Sequence, residues 1–329
     1  MAHELTIRAN STAEMAYVGE RPWHGLGQKL AVGADIETWQ VAAGMDWRIQ
    51  KSKARYFCDA QGTDQREFPD QIVLFRSDTK APLGIVSPSY KVVQPKTVLE
   101  FFRDLIEGNG YQLETAGTLF GGRKFWALAK VASACVTALD EVGSYLLLST
   151  SCDGGSATEA RETSVRVVCN NTLSMARYAK ADARVSHRQV FDAMAIKARL
   201  EQNSEHFARF MEDARQLSEK RITTAAAEAF VRELLRPTKI VGGIPQPTVI
   251  EEGQRAPKGE SDILALFAGS ALGQGLPGVR GTAWGIVNAV TAYVDHVKQG
   301  KTADHRLDSA LFGSGDDLKT RALDLAFAL

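Results

Sequence analysis

Between residues 111 and 169 the chain offers one strand-like segment after another, with little but glycine turns between them. YQLETAGTLF (111–120) and RKFWALAKV (123–131) flank Gly121-Gly122. GSYLLLSTSC (143–152) follows, and Asp153-Gly154-Gly155 then turns the chain towards TSVRVVC (163–169). Paired glycines between alternating apolar runs predict a hairpin, because glycine reaches the positive φ that tight turns demand. Strands that come in runs, and not in alternation with helices, predict an α+β fold and argue against a parallel α/β sheet.

The flanks complete that reading. QIVLFRS (71–77) and GIVSPSYKVVQP (84–95) read as strands around the turn DTKAPL, and IETWQVAAGM (36–45) as a short helix. KTVLEFFRDLIEGNG (96–110) is predicted to be helical, with Leu99, Phe102 and Ile106 near helical spacing and Gly108 and Gly110 as terminators. Beyond residue 188 the apolar face Ile196, Leu200, Phe207, Phe210, Met211, Ala214 and Leu217 marks helix, and TAAAEAFVRELL (224–235) ends before Pro237. TAWGIVNAVTAYVDHVK (282–298) and DDLKTRALDLAF (316–327) are further helices. The expected architecture is a central antiparallel-rich sheet with packed helices, followed by a mainly helical C-terminal region. The expected division is an N-terminal arm (1–30), an α+β core (31–190), a helical segment (191–237), a loop or linker (238–262) and a C-terminal helical region (263–329). The linker expectation rests on four glycines and three prolines in its 25 residues.

Composition narrows the function classes. With 44% hydrophobic and 24% charged residues the chain can bury a core. Its 39 Lys and Arg balance 39 Asp and Glu, so any affinity for nucleic acid must come from a local patch. No run of 18 apolar residues predicts a membrane span, and the first 20 residues lack the apolar stretch of a secretory signal. Cys58, Cys135, Cys152 and Cys169 stand far apart with no C-x-x-C pair, so reduced thiols and a cytoplasmic location are expected, without a zinc site. Neither a phosphate-binding loop of the G-x-x-x-x-G-K-[ST] type nor a dinucleotide fingerprint is present, and no H-E-x-x-H pattern occurs. No cofactor or metal is therefore expected.

One local patch does stand out. Residues 161–199 hold eight Lys and Arg against three acids: Arg161, Arg166, Arg177, Lys180, Arg184, Arg188, Lys197 and Arg199 face Glu162, Asp182 and Asp192. On a helix beginning near Thr172, Arg177, Lys180, Arg184 and Arg188 would fall along one stripe. Asn170 or Asn171 would cap it and leave free N–H groups for a phosphate. Neutralised phosphates release counterions, which makes such a stripe a candidate single-strand site. Arg123 and Lys124 after the glycine turn, beside Phe125 and Trp126, suggest a second contact of phosphate plus stacking ring. Strand alternation puts the two aromatics on opposite faces, so one of them is expected in the core, and for Trp126 core packing is the favoured role.

Other features are weighed against that patch. In RPWHGLG, Trp23, His24, Gly25 and Gly27 read as a structural or subunit-contact loop, with His24 as the chemical alternative. Cys169 precedes the expected helix and could be a nucleophile, but Val167 and Val168 lead into it as on a buried strand, and packing is the simpler role.

AYVGERPWHGLG (16–27), DGGSA (153–157) with RVVCNNTL (166–173), and TAWGIVNAVTAYVDH (282–296) with LFGSG (311–315) resemble the phage- and plasmid-borne family built on the domain of unknown function numbered 932. That resemblance implies mobile genetic elements and work on DNA. The order of elements over 111–190, a glycine-joined hairpin, a further strand, then a strand running into a basic helix, is similar to the core of single-strand annealing proteins. It implies rings that frame a groove for single-stranded DNA. The expected function is accordingly a single-stranded DNA-binding protein of mobile elements, acting as a homo-oligomer, ring or filament, and annealing strands without a catalytic residue. Two readings of other classes stand beside it: a protein-binding module antagonising host defence, and an enzyme using Cys169 or His24.

Overall fold

The structure is a computed structural model. It describes residues 6–8, 11–19, 26–166, 171–173, 183–201, 205–236, 238–241, 244–247, 257, 259–299 and 303–329. In chain order the elements are β1 (Met15–Tyr17), β2 (Gln28–Lys29), α1 (Ile36–Ala42), β3 (Ile49–Phe57), β4 (Gln65–Arg76), β5 (Pro82–Val86), α2 (Pro95–Asn109), β6 (Gln112–Leu119), β7 (Lys124–Thr137) and β8 (Asp140–Ser151). There follow β9 (Thr158–Arg166), β10 (Asn171–Leu173), β11 (Ala183–Val185), α3 (Ala193–Glu201), α4 (Glu205–Glu219), α5 (Thr224–Leu234), β12 (Thr238–Val241), β13 (Ile244–Pro247) and α6 (Glu260–Ala265). The chain closes with α7 (Ala283–Ala292), α8 (Ala303–Phe312) and α9 (Ser314–Ala326). The fold is α+β, with a mainly helical C-terminal region.

The main sheet has the order β10-β9-β8-β7-β6-β1-β2, with β11 also paired to β9. The β6–β7 pair is the hairpin expected around Gly121-Gly122, antiparallel from Gln112↔Lys130 to Leu119↔Lys124. Gly122 is required twice over: its φ is +93°, and a Cβ there would stand 2.6 Å from the Trp47 ring. Two compact units interleave along the chain. One comprises residues 1–131, 145–162 and 181–204, the other 132–144, 163–180 and 205–329. Consecutive regions do not describe this, because β7, β8 and β9 each give residues to both units. At about 3.3 Å per residue a strand of 14 residues is long enough to serve two cores.

In the first unit the core gathers Trp39, Met45, Leu74, Leu99, Phe101, Phe102 and Phe125, all buried. Helix α2 supplies several of these because Val98, Leu99, Phe101, Phe102 and Leu105 share its covered side. Pro95 opens the helix with a φ already suited to it, and Gly110 ends it in the left-handed conformation. The segment expected to be an N-terminal arm is in part sheet, since β1 lies between β6 and β2. A separate sheet, β3-β4-β5, carries an irregularity where Lys53↔Ile72 gives way to Ala54↔Phe68. Pro69, Asp70 and Gln71 are the extra residues of β4 at that point.

The second unit is built on α7, every residue of which is buried, as a helix apolar all round must be. Trp284 packs edge-on to Phe210, and its indole N–H donates to Asp140 Oδ2 at 2.9 Å, so the ring enters the core without an orphaned donor. Thr282 caps α7 by accepting from the Gly285 amide. Within residues 238–262, expected to be a loop, β12 and β13 pair from Thr238↔Pro247 to Val241↔Ile244. The β-branched residues on either side of Gly242-Gly243 outweigh the breaker count.

Candidate anion-binding cleft

Three connections of the first unit meet at a cavity of about 600 Å³. One is Ser87–Tyr90 after β5, another the Asp153–Ala157 turn between β8 and β9, and the third Ser186–Gln189 after β11. The turn is tied by its own groups. Ser151 Oγ donates to Ser156 O at 2.9 Å and accepts from Ser156 N at 2.8 Å, while Asp153 Oδ1 accepts from Gly155 N at 2.8 Å. Gly84 of β5 lets it approach, for a Cβ there would lie 2.7 Å from the Asp153 Cα.

Tyr90 and His187 form one wall. Their rings stack with centroids 4.4 Å apart and planes 17° from parallel. The Tyr90 hydroxyl donates to Ser151 O at 3.0 Å, and burial raises its pKa well above the ordinary phenol value, which keeps the donor protonated. His187 is held at both ring nitrogens: Nδ1 lies 3.1 Å from Lys91 O and Nε2 3.1 Å from Ser156 O. A neutral ring donates to one of these carbonyls, an imidazolium to both. The Lys91 amide returns a bond to His187 O at 2.7 Å, so the two loops are stitched in both directions.

Two arginines line the same cavity. Arg184 stands on β11 directly opposite Glu159 of β9 and pairs with it at 3.2 Å, with its side chain 69% exposed. Arg188 is exposed, and its guanidinium has no ion-pair partner among the described residues. Asp153 is the acid on the lining.

At its two described ends the expected cationic helix is strand instead. Asn171–Leu173 and Ala183–Val185 are strands, antiparallel to β9 at Arg166–Ser164 and Ala160–Thr158 respectively. Thr172 and Val185 suit an extended backbone, and β9 offers the ladder partners that a helix would leave unused. Arg177, Lys180, Asn170 and Cys169 lie outside the described residues, as do Trp23, His24 and Gly25. Of the four cations expected on the stripe, Arg184 and Arg188 are brought together at the cleft.

The hairpin expectation is corrected in its aromatics. Phe125 and Trp126 are both buried, 0% and 2% exposed, because both faces of β7 are covered from Lys124 to Ala127, and neither presents a stacking face. Lys124 is buried as well, whereas Arg123 is exposed, its Nε donating to Phe120 O at 3.0 Å. Arg161 is half-buried on β9, Arg166 faces Asn171 across the β9–β10 ladder, and Gly27, at φ +107°, packs close to Met15. Among the cysteines, Cys152 is buried, which pushes its thiol up to about 12; Cys58 and Cys135 are exposed. Among the described residues no cluster of His, Cys, Asp and Glu could hold a metal ion, and no helix is long and apolar enough to cross a membrane.

The family model described as a domain of unknown function, DUF932, matches residues 82–311. The chain belongs to this family. The cleft lies inside the DUF932 region, since its first lining residue is Ile85 and its last Gln189. No functionally curated protein and no solved structure matches the chain. Sequence reasoning passed over Tyr90, although the DGGSA stretch that turns beside it was already a marker of the DUF932 resemblance.

Proposed function

We propose that this protein binds single-stranded DNA, with Arg184 and Arg188 taking successive phosphates and the Tyr90–His187 stack forming the floor beside them. The observation that carries this reading is the convergence of two exposed guanidinium groups on one cavity, with no acid answering Arg188 among the described residues. In a chain of zero net charge, a local site of this kind is what phosphate recognition needs. A cavity of about 600 Å³ falls in the range of small-molecule sites and takes a nucleotide unit more readily than a duplex. In this reading the protein serves phages and plasmids as an oligomer whose bound strands remain open to annealing, and no residue acts as a catalyst.

The test is fluorescence anisotropy of the full chain with a labelled oligonucleotide, single-stranded and duplex, at low salt. Tighter binding of the single strand supports the reading. Absence of binding to either form overturns it, and would turn the cleft, with Ile85 63% exposed on its wall, towards a protein partner.

A further inference from the structure

Each ring nitrogen of His187 faces a main-chain carbonyl oxygen: Nδ1 stands 3.1 Å from Lys91 O and Nε2 3.1 Å from Ser156 O. A carbonyl oxygen only accepts, so both contacts are hydrogen bonds only when both nitrogens carry a proton. A neutral ring has one N–H. Its other nitrogen then turns a lone pair towards an oxygen at the same distance, and a change of tautomer merely exchanges which carbonyl is left. The ring cannot tilt away without giving up its stack on Tyr90, with centroids 4.4 Å apart and planes 17° from parallel. The site is complete for an imidazolium and one donor short for an imidazole.

The two carbonyls belong to different connections of the cleft. Ser156 lies in the turn between β8 and β9, Lys91 directly follows the Ser87–Tyr90 segment after β5, and His187 itself is on the segment after β11. With both N–H groups present, one ring therefore joins all three. The other ties described there do not depend on its charge: the Lys91 amide donates to His187 O at 2.7 Å, and the Tyr90 hydroxyl to Ser151 O at 3.0 Å. The charged and titratable groups around the ring are Tyr90, stacked on it, and Asp153, Arg184 and Arg188 on the shared lining, with Glu159 paired to Arg184 at 3.2 Å. Beside Tyr90 is the Cys152 thiol, which burial keeps protonated, and the Lys91 side chain is exposed. Of these residue types, histidine is the one that ordinarily changes charge between about pH 5 and 8.

We propose that His187 is a proton-operated clasp of the cleft. As the imidazolium it bridges the three connections and adds a positive charge to the lining that carries Arg184 and Arg188; as the neutral imidazole it lets one of the two carbonyls go, and the cleft loosens. The fastened form is the one that holds the extra proton, so the fastening is present at low pH and lost as pH rises through the titration of the ring. An anion in the cleft favours the charged ring, and by linkage the charged ring favours the anion. That second consequence rests on the anion-binding reading above, whereas the clasp rests on the two carbonyl contacts alone.

Hydrogen exchange of the full chain between about pH 5.5 and 8, read by mass spectrometry and corrected for the exchange rate of free peptide, tests the clasp. Protection of Ser87–Lys91, Asp153–Ala157 and Ser186–Gln189 is expected to fall at least about tenfold over that range, the worth of one hydrogen bond from a charged donor. The fall should keep step with the titration of the His187 ring, followed by its 15N shifts in the wild type. His187→Gln, whose amide carries no charge, is expected to stay at the high-pH level throughout, with circular dichroism checking that it is folded. Protection that does not change with pH, that changes out of step with the ring, or that changes equally in the folded variant overturns the clasp. Anisotropy with a labelled single-stranded oligonucleotide at the two ends of the range separates the second consequence from the first. A wild-type affinity several-fold higher at low pH, beside a pH-independent His187→Gln, supports the added charge, and equal pH dependence in the two proteins overturns it. Failure to bind at either pH sinks the anion site, and the exchange measurement still decides the clasp.

Discussion

Arg76 and Arg188 show two opposite uses of one side chain within the same unit. Arg76, 2% exposed, is spoken for at every nitrogen: Nε and Nη2 donate to Asp78 at 3.0 and 2.8 Å, Nη2 and Nη1 to Glu14 at 2.6 and 3.0 Å, and Nη1 to Gly121 O at 3.3 Å. It also lies over the Trp47 ring, 4.2 Å from the centroid. Arg188 is exposed on the rim of a cavity and answers no acid among the described residues. A guanidinium with all its donors used fixes β1, β4 and the β6–β7 turn to one another. One left open at a cleft is available to a ligand. Counting arginines along the sequence gives the two the same weight; their partners separate them.

The sharpest way to break this contrast is Arg76→Met. It takes from Glu14, 1% exposed, its bidentate partner and leaves the buried carboxylate only Arg8 Nε at 3.3 Å and the Thr118 hydroxyl, so the expected loss is about 3 kcal/mol in urea unfolding. Adding Glu14→Gln should restore part of it, because the under-compensated charge goes with the partner. Tyr90→Phe comes next. It keeps the stack on His187 but removes the hydroxyl that donates to Ser151 O at 3.0 Å, at an expected cost of about 1 kcal/mol.

The acid limb of a stability–pH curve sharpens the comparison from another side. The Asp78 carboxyl, bound by the Arg76 guanidinium, is held down to about 2. A depressed folded value means that its contribution is present above the ordinary carboxylate pKa and disappears as pH falls from about 4 towards 2. Glu114 runs the other way: burial raises its pKa against the bond it accepts from Tyr145, so its share is lost as pH rises through the raised value. Melting temperatures of Asp78→Asn should therefore fall less steeply below pH 4 than those of the wild type. Smallest of all on stability is Arg184→Ala with Arg188→Ala, expected within about 0.5 kcal/mol because both side chains are exposed.

How much of this could be read beforehand depended on whether a residue's partner is local. Helix α2 was legible because Pro95, Gly110 and the apolar face between them lie in one window. The β6–β7 hairpin was legible from Gly121-Gly122. Strands β10 and β11 were not. Asn170-Asn171-Thr172 reads as a helix cap, and the run beyond it is rich in Ala, Lys and Arg. Only the distant edge of β9 makes strands of Asn171–Leu173 and Ala183–Val185. The β3–β4 ribbon was hidden for a related reason: KSKARYF and QREF are exposed on both faces, so neither shows the alternation of a half-buried strand. At the cleft, Arg184 and Arg188 were found by charge. Tyr90 was not, because its role depends on a ring contact to His187 across most of the unit's sequence.

The most direct test of the contrast is the salt dependence of single-strand binding by the wild type and by the Arg184→Ala, Arg188→Ala double variant. If Arg184 and Arg188 each hold a phosphate, the wild-type affinity falls steeply with salt. The double variant then binds more weakly at low salt, with a log–log slope shallower by about 1.4, or about 0.7 for each contact removed. Equal slopes and equal affinities would contradict the account and return Arg188 to an ordinary solvated side chain.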